Sequence, residues 1–90
     1  MQMTEHFRLR WRQRVDSVLP TPKGLAAMIR GAVCVQKYRE VFTPRGRRIT
    51  ILAAFWLPDL NIIVKADMRR NCAITVITPN IRESGSALDN

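Results

Sequence analysis

The sequence predicts an α+β domain in which two N-terminal helices pack on one face of a four-stranded antiparallel meander sheet. Up to Gly31 the apolar residues recur at helical spacing, and beyond it the chain is rich in β-branched and aromatic residues. Short turns separate the strand-like segments, and short connections favour antiparallel neighbours. We expect residues 1–79 to form this single domain and residues 80–90 to form a polar C-terminal tail.

The first predicted helix begins at Thr4, a good N-cap residue, and ends by Pro20. An apolar stripe runs along one side of it, and such a stripe must face a core. The stripe consists of Phe7, Trp11, Val15 and Val18.

The histidine of this chain, His6, lies beside that stripe, and Arg10 and Arg14 follow it at intervals of four residues. On a helix these three side chains share one edge, so we predict a half-buried row, with Arg8 and Arg12 exposed on the opposite flank. An imidazole beside guanidinium groups is a candidate general acid or base next to groups that stabilise an anion. A helix that only spreads its arginines around a core has the same pattern.

A second helix is predicted from Pro22 to Arg30, with Thr21 as its N-cap and Gly31 as its stop. Its buried face comprises Leu25, Met28 and Ile29. The first of the four strands is expected at a sheet edge, and the second is apolar enough to lie centrally. The predicted strands are Ala32–Phe42, Ile49–Leu57, Asn61–Ala66 and Cys72–Thr78.

The charge balance indicates an anionic partner. The chain carries 15 Lys and Arg against 7 Asp and Glu, a net charge of +8, and most of the basic residues are arginine. Arginine favours bidentate recognition of phosphate, so RNA or another nucleic acid is the favoured partner, with an acidic protein as the alternative. Besides the first helix, the candidate nucleic-acid-binding residues are Arg45, Arg47, Arg48, Arg69 and Arg70.

Several function classes are disfavoured by the composition. The longest apolar stretch is interrupted well before the ~18 residues that a membrane span requires, and the charged N-terminal segment does not resemble a signal peptide. We therefore expect a soluble, cytoplasmic protein without membrane association. Cys34 and Cys72 lack metal-ligand spacing and are predicted to be buried free thiols rather than a disulfide or zinc site. No metal or cofactor is predicted, and the oligomeric state stays open.

The chain resembles the small bacterial and phage domains related to RelE-type toxins, within the barnase, EndoU, colicin and RelE superfamily of metal-independent ribonucleases. The resemblance covers residues 4–79 and rests on short motifs and on the order of the elements. The motifs are His6-x3-Arg10-x3-Arg14, the glycine that ends the second helix, and the terminal strand with its proline, residues 74–79.

This resemblance implies cleavage of RNA by attack of a ribose 2′-hydroxyl on the adjacent phosphate. His6 would be the general acid or base, and Arg10 and Arg14 would stabilise the pentacoordinate phosphorane. Thr75 or Thr78 would donate a hydrogen bond from the last strand. The other interpretation of the two threonines is that they are simply good strand formers.

The sequence departs from a two-sided acid–base mechanism because it contains one histidine. A second proton-transfer group would have to come from Glu40, Asp67, Tyr38 or Lys65. Tyr38 and Trp56 are predicted to be a strand-surface and a core aromatic, respectively, rather than platforms for stacked bases.

Two classes of function therefore stay open. The first is an RNA-cleaving or RNA-binding toxin-like domain, a candidate endoribonuclease, for which an antitoxin or host protein would be a further partner. The alternative is a non-enzymatic basic interaction protein, for example a phage factor that docks on a host protein or nucleic acid.

Overall fold

The computed structural model describes residues 1–79, which form two helices and a five-stranded sheet. The α+β class and the two helices are confirmed. The strands lie in the order β1-β5-β4-β3-β2, and the predicted tail, residues 80–90, falls outside the described residues. The elements are β1 (Gln2–Met3), α1 (Glu5–Arg14), α2 (Pro22–Arg30), β2 (Val33–Phe42), β3 (Arg48–Leu57), β4 (Ile62–Asp67) and β5 (Cys72–Ile77).

Four of the strands form the predicted antiparallel meander, with β2 at the sheet edge and β3 between β2 and β4. The prediction of a four-stranded antiparallel sheet was wrong in one detail. β1 adds a fifth strand parallel to β5, with Gln2 opposite Cys72. Two residues are too few to show the alternation from which a strand is predicted. The sheet is therefore mixed.

Both helices bury their apolar side chains in one core on a single face of the sheet. In β4 the core-facing positions alternate with half-buried ones, as expected for a strand with one face covered. Lys65 and Asp67 lie at half-buried positions on the face opposite the helices. The buried cluster consists of Phe7, Trp11, Leu25, Ile29, Leu57, Ile62, Val64, Ala73 and Val76.

The first helix is shorter than predicted, since it ends at Arg14. Asp16 then accepts a hydrogen bond from the backbone N–H of Val18, and such local side-chain bonds compete with helical ones. Val18 is consequently exposed and does not belong to the buried stripe, although its carbonyl accepts a bond from the indole of Trp11 at 3.0 Å. Within residues 1–79, neither helix is long and apolar enough to span a bilayer.

Two further burial predictions were wrong, and both concern β2 or β3. Cys34 is exposed because β2 is an edge strand with solvent at most of its positions, while Cys72 is half-buried; both thiols are free. Trp56 is exposed rather than in the core, because its neighbour Leu57 faces the helices and alternation turns Trp56 to the other face. Tyr38 lies on the strand surface, as predicted.

Candidate functional site

Thr4 attaches the start of α1 to the outer edge of β5. Its hydroxyl accepts a hydrogen bond from Phe7 N at 3.0 Å, which caps the helix, and donates one to the carbonyl of Ile74 at 2.9 Å. Its backbone N–H bonds the carbonyl of Ala73 at 3.1 Å. Two consecutive carbonyls of β5 are available because the strand register shifts between Lys65 and the next residue of β4, which leaves Ile74 as the extra residue of a bulge.

The predicted His6 row runs along this same edge. Arg14 donates from Nη1 to the carbonyl of Val76 at 2.8 Å, and Arg10 donates from Nη1 to Oε1 of Gln13 at 2.9 Å. Both guanidinium groups are thus held by a neutral oxygen. Each retains further N–H donors, because a guanidinium carries five.

The row and the last strand together line one open concavity of about 380 Å³. All five residues proposed for catalysis from the sequence lie there. Arg10 is half-buried, whereas His6 and Arg14 are exposed, so the predicted half-burial of the row was wrong for these two. The lining residues are His6, Arg10, Arg14, Thr75, Ile77 and Thr78.

The chemistry of this concavity suits a phosphodiester. It presents two guanidinium groups, one imidazole and two hydroxyls, and none of its lining residues is acidic. Guanidinium groups bind phosphate oxygens in pairs and stabilise charge that develops on them. An imidazole is the side chain that most often serves as a general acid or base. Because the concavity is open, a long chain can lie across it.

The candidates for a second proton-transfer group lie elsewhere. The Lys65 ammonium sits 4.9 Å from the centre of the Tyr38 ring, across the sheet from the helices. Glu40 faces Arg48 at 3.6 Å, and Asp67 accepts backbone hydrogen bonds in the β4–β5 turn. The described lining of the concavity therefore supplies one side chain of the type used in general acid–base catalysis, the imidazole of His6.

The two other arginine clusters lie outside the concavity, at one end of the sheet. Arg45, Arg47 and Arg48 occupy the β2–β3 turn and its exit, and Arg69 and Arg70 occupy the β4–β5 turn. Antiparallel order brings these two turns to the same end of the sheet, and the backbone N–H of residue 68 bonds the carbonyl of residue 51 there. All five side chains are exposed.

Two residues that shape the site are not predicted from the sequence. Gln13 orients Arg10 through a hydrogen bond. The sequence signal for this contact is the spacing, because side chains three residues apart on a helix are neighbours. Ile77 contributes an apolar wall. By contrast, the exposure of Arg8 and Arg12 agrees with the prediction.

Within residues 1–79, no group of three or more His, Cys, Asp and Glu side chains is placed to hold a metal ion. Comparison of the chain with known protein families, with characterised proteins and with solved structures found no match.

Proposed function

We propose that this domain binds RNA across the concavity at the edge of β5 and cleaves it without a metal ion, in the manner of the RelE-type toxins that the sequence resembles. One observation carries the proposal. The helix residues His6, Arg10 and Arg14 line the same open concavity as two residues of the last strand and its end, Thr75 and Thr78. The helical spacing alone does not bring the two threonines there.

In the proposed reaction, the His6 ring takes the proton from the ribose 2′-hydroxyl as the 2′-oxygen attacks phosphorus. Arg10 and Arg14 hold the non-bridging oxygens, whose negative charge grows in the phosphorane. The bond from phosphorus to the 5′-oxygen breaks, and water in the open site protonates that oxygen. The products are a 2′,3′-cyclic phosphate and a free 5′-hydroxyl.

A threonine hydroxyl would assist by donating a hydrogen bond to the same oxygens. Arg10 and Arg14 enter the reaction already oriented by Gln13 and by the Val76 carbonyl. Preoriented donors stabilise a transition state without reorganisation during the reaction.

Binding without cleavage is the second candidate function, and one observation favours it. The described lining of the concavity offers a single imidazole, whereas two-sided acid–base catalysis uses a second group. In that case the same surface would hold RNA, or an acidic segment of an antitoxin or host protein, through its arginines alone.

The decisive experiment compares an oligoribonucleotide with the same oligomer carrying 2′-deoxyribose throughout. We expect wild-type protein to bind both and to cleave the ribose form. His6→Ala should lower the cleavage rate by about 10²- to 10⁴-fold, the usual contribution of a general base, with little change in RNA affinity. Denaturing gels and detection of the cyclic phosphate measure the cleavage.

The matched control is Arg30→Ala, which removes an exposed arginine from the last turn of α2. This variant should cleave like wild type, whereas Arg10→Ala should lose about 10²- to 10³-fold if its guanidinium stabilises the phosphorane. Binding of both oligomers without cleavage would replace the catalytic proposal with the binding one. A folded protein that neither binds nor cleaves RNA would contradict both.

A further inference from the structure

The distal part of the β2–β3 hairpin projects beyond the rest of the sheet. β4 pairs with β3 from Leu52 to Leu57, whereas residues 48–50 of β3 pair with β2 and lie beyond the last residue paired with β4. We call residues 40–50 the arm. Two-stranded ribbons without further packing are marginally stable in water.

The arm exposes apolar side chains among arginines. Phe42 is 71% exposed and Ile49 is 38% exposed. Phe42 lies directly opposite Arg48 in the strand register, so the two side chains share one face of the ribbon. Three arginines and one glutamate give the arm a net charge of +2, since 3 − 1 = 2.

The tip of the arm is held in one conformation by its own hydrogen bonds. Thr43 and Arg47 are joined by a backbone bond of 2.8 Å, and the Thr43 hydroxyl accepts a second bond from Arg47 N at 3.1 Å. Gly46 has φ 82, a left-handed conformation that favours glycine. The arginines are therefore presented from an ordered turn.

We propose that the arm binds single-stranded RNA, with an unpaired base stacked on Phe42 and phosphates held by the arginines of the turn. An exposed aromatic ring next to guanidinium groups is the pattern with which proteins hold single strands, because every base has a face that stacks and every nucleotide a phosphate. The inference rests on the proposed function and extends it, since it names long single-stranded RNA as the class of substrate.

The distance between the two sites defines how long such a substrate must be. Thr75 lies opposite Lys65, which lies opposite Ala54, and Arg48 is six residues before Ala54 along β3. Phe42 lies opposite Arg48 across one further strand spacing, so three strand spacings and six residues place Phe42 about 25 Å from Thr75 in the concavity. At the ~3.4 Å rise per nucleotide of a stacked helical strand, about 7 nucleotides span that distance, and an extended single strand spans it with fewer.

A protein strand added to the edge of β2 is the competing occupant, and the register of β2 disfavours it. The pairing of β2 with β3 shifts at three places, between Cys34 and Gln36, between Lys37 and Arg39, and between Arg39 and Glu40. Such irregularities interrupt the regular row of edge N–H and C=O groups that an added strand requires.

The test measures affinity for two RNAs, one of about 4 nucleotides and one of about 16 nucleotides, at equal ionic strength. Phe42→Leu removes the ring but keeps an apolar side chain, and we expect it to weaken binding of the long RNA by about ten-fold. Phe42→Tyr keeps an aromatic ring and should bind the long RNA as tightly as wild type. Binding and cleavage of the short RNA should be the same in all three proteins.

The matched control is Leu60→Ala, which removes an exposed apolar side chain from the β3–β4 turn at the opposite end of the sheet. It should bind both RNAs like wild type. If Phe42→Leu binds the long RNA as tightly as wild type, the arm inference is wrong, while His6-dependent cleavage of the short RNA still supports the proposed function.

Two other outcomes also decide the question. If wild type binds neither RNA, the proposed function fails and the arm inference fails with it. If polyglutamate of equal charge binds as tightly as the long RNA and loses affinity equally in Phe42→Leu, the arm selects an acidic protein and the RNA assignment is wrong.

Discussion

The two outer edges of the sheet differ in what covers them. On the β5 side, the two residues of β1 pair with the start of β5. Thr4, the N-cap of α1, and Arg14 donate hydrogen bonds to the carbonyls of Ala73, Ile74 and Val76. At the other edge, β2 is exposed at most positions, and its distal part forms the arm. Two phenylalanines summarise the contrast, since Phe7 of α1 is 0% exposed and Phe42 of the arm is 71% exposed.

Under the proposed function, this difference assigns two roles to the two edges. A catalytic group must be held within a fraction of an ångström, and the covered edge fixes α1 to the strand that carries the threonines. A surface that holds a flexible polymer needs charge and exposed rings, which the open edge supplies. The covered edge should therefore determine stability and cleavage, and the open edge should determine affinity alone.

The largest expected effect is on stability, from Phe7→Ala compared with Phe42→Ala. Phe7 is fully buried and packs against Trp11 with ring centroids 5.7 Å apart. Its truncation should lower the free energy of unfolding by about 3–5 kcal/mol. Phe42→Ala should change it by less than about 0.5 kcal/mol. Urea unfolding followed by circular dichroism measures both, and equal losses would show that the arm packs as part of the core.

A smaller effect on stability is expected from Arg14→Ala. The mutation removes the bond to the Val76 carbonyl, a charge-assisted bond at a partly exposed site, and should cost about 1–2 kcal/mol of unfolding free energy. Arg12→Ala, on the exposed flank of the same helix, is the control and should stay within about 0.5 kcal/mol of wild type. Equal values for the two variants in the same urea titration would mean that water replaces the Arg14 bond without loss.

The sequence predicted those parts of the molecule that depend on local spacing. Thr4 caps α1 as predicted, and Phe7 and Trp11 are buried because their spacing places them on one side of a helix. The shared edge of His6 and Arg10 follows from the same geometry. Local spacing therefore accounts for half of the candidate site.

The other half depends on contacts between distant segments. The bulge at Ile74 and the two residues of β1 leave no periodic signal, yet they fix where α1 meets β5. Thr75 and Thr78 were proposed through the family resemblance, and their roles stay predictions. Trp56 was misplaced because composition alone does not tell which face of a strand is covered.

The smallest effect on stability is expected from Glu40→Gln, which removes the negative charge of the arm. Glu40 and Arg48 approach to 3.6 Å with side chains 26% and 66% exposed. Because such surface pairs contribute little, the free energy of unfolding should change by less than about 0.5 kcal/mol. Affinity for long RNA should nevertheless increase, since Arg48 is freed to contact a phosphate.

One added phosphate contact should steepen the plot of log affinity against log salt concentration by about 0.7, the value for single strands. Asp59→Asn is the control, because it changes the net charge equally but lies in the β3–β4 turn at the opposite end of the sheet. Steeper slopes in both variants would trace the effect to the overall charge of +8. A steeper slope in Glu40→Gln alone would place the additional phosphate at the arm, because only that variant changes the charge beside Arg48.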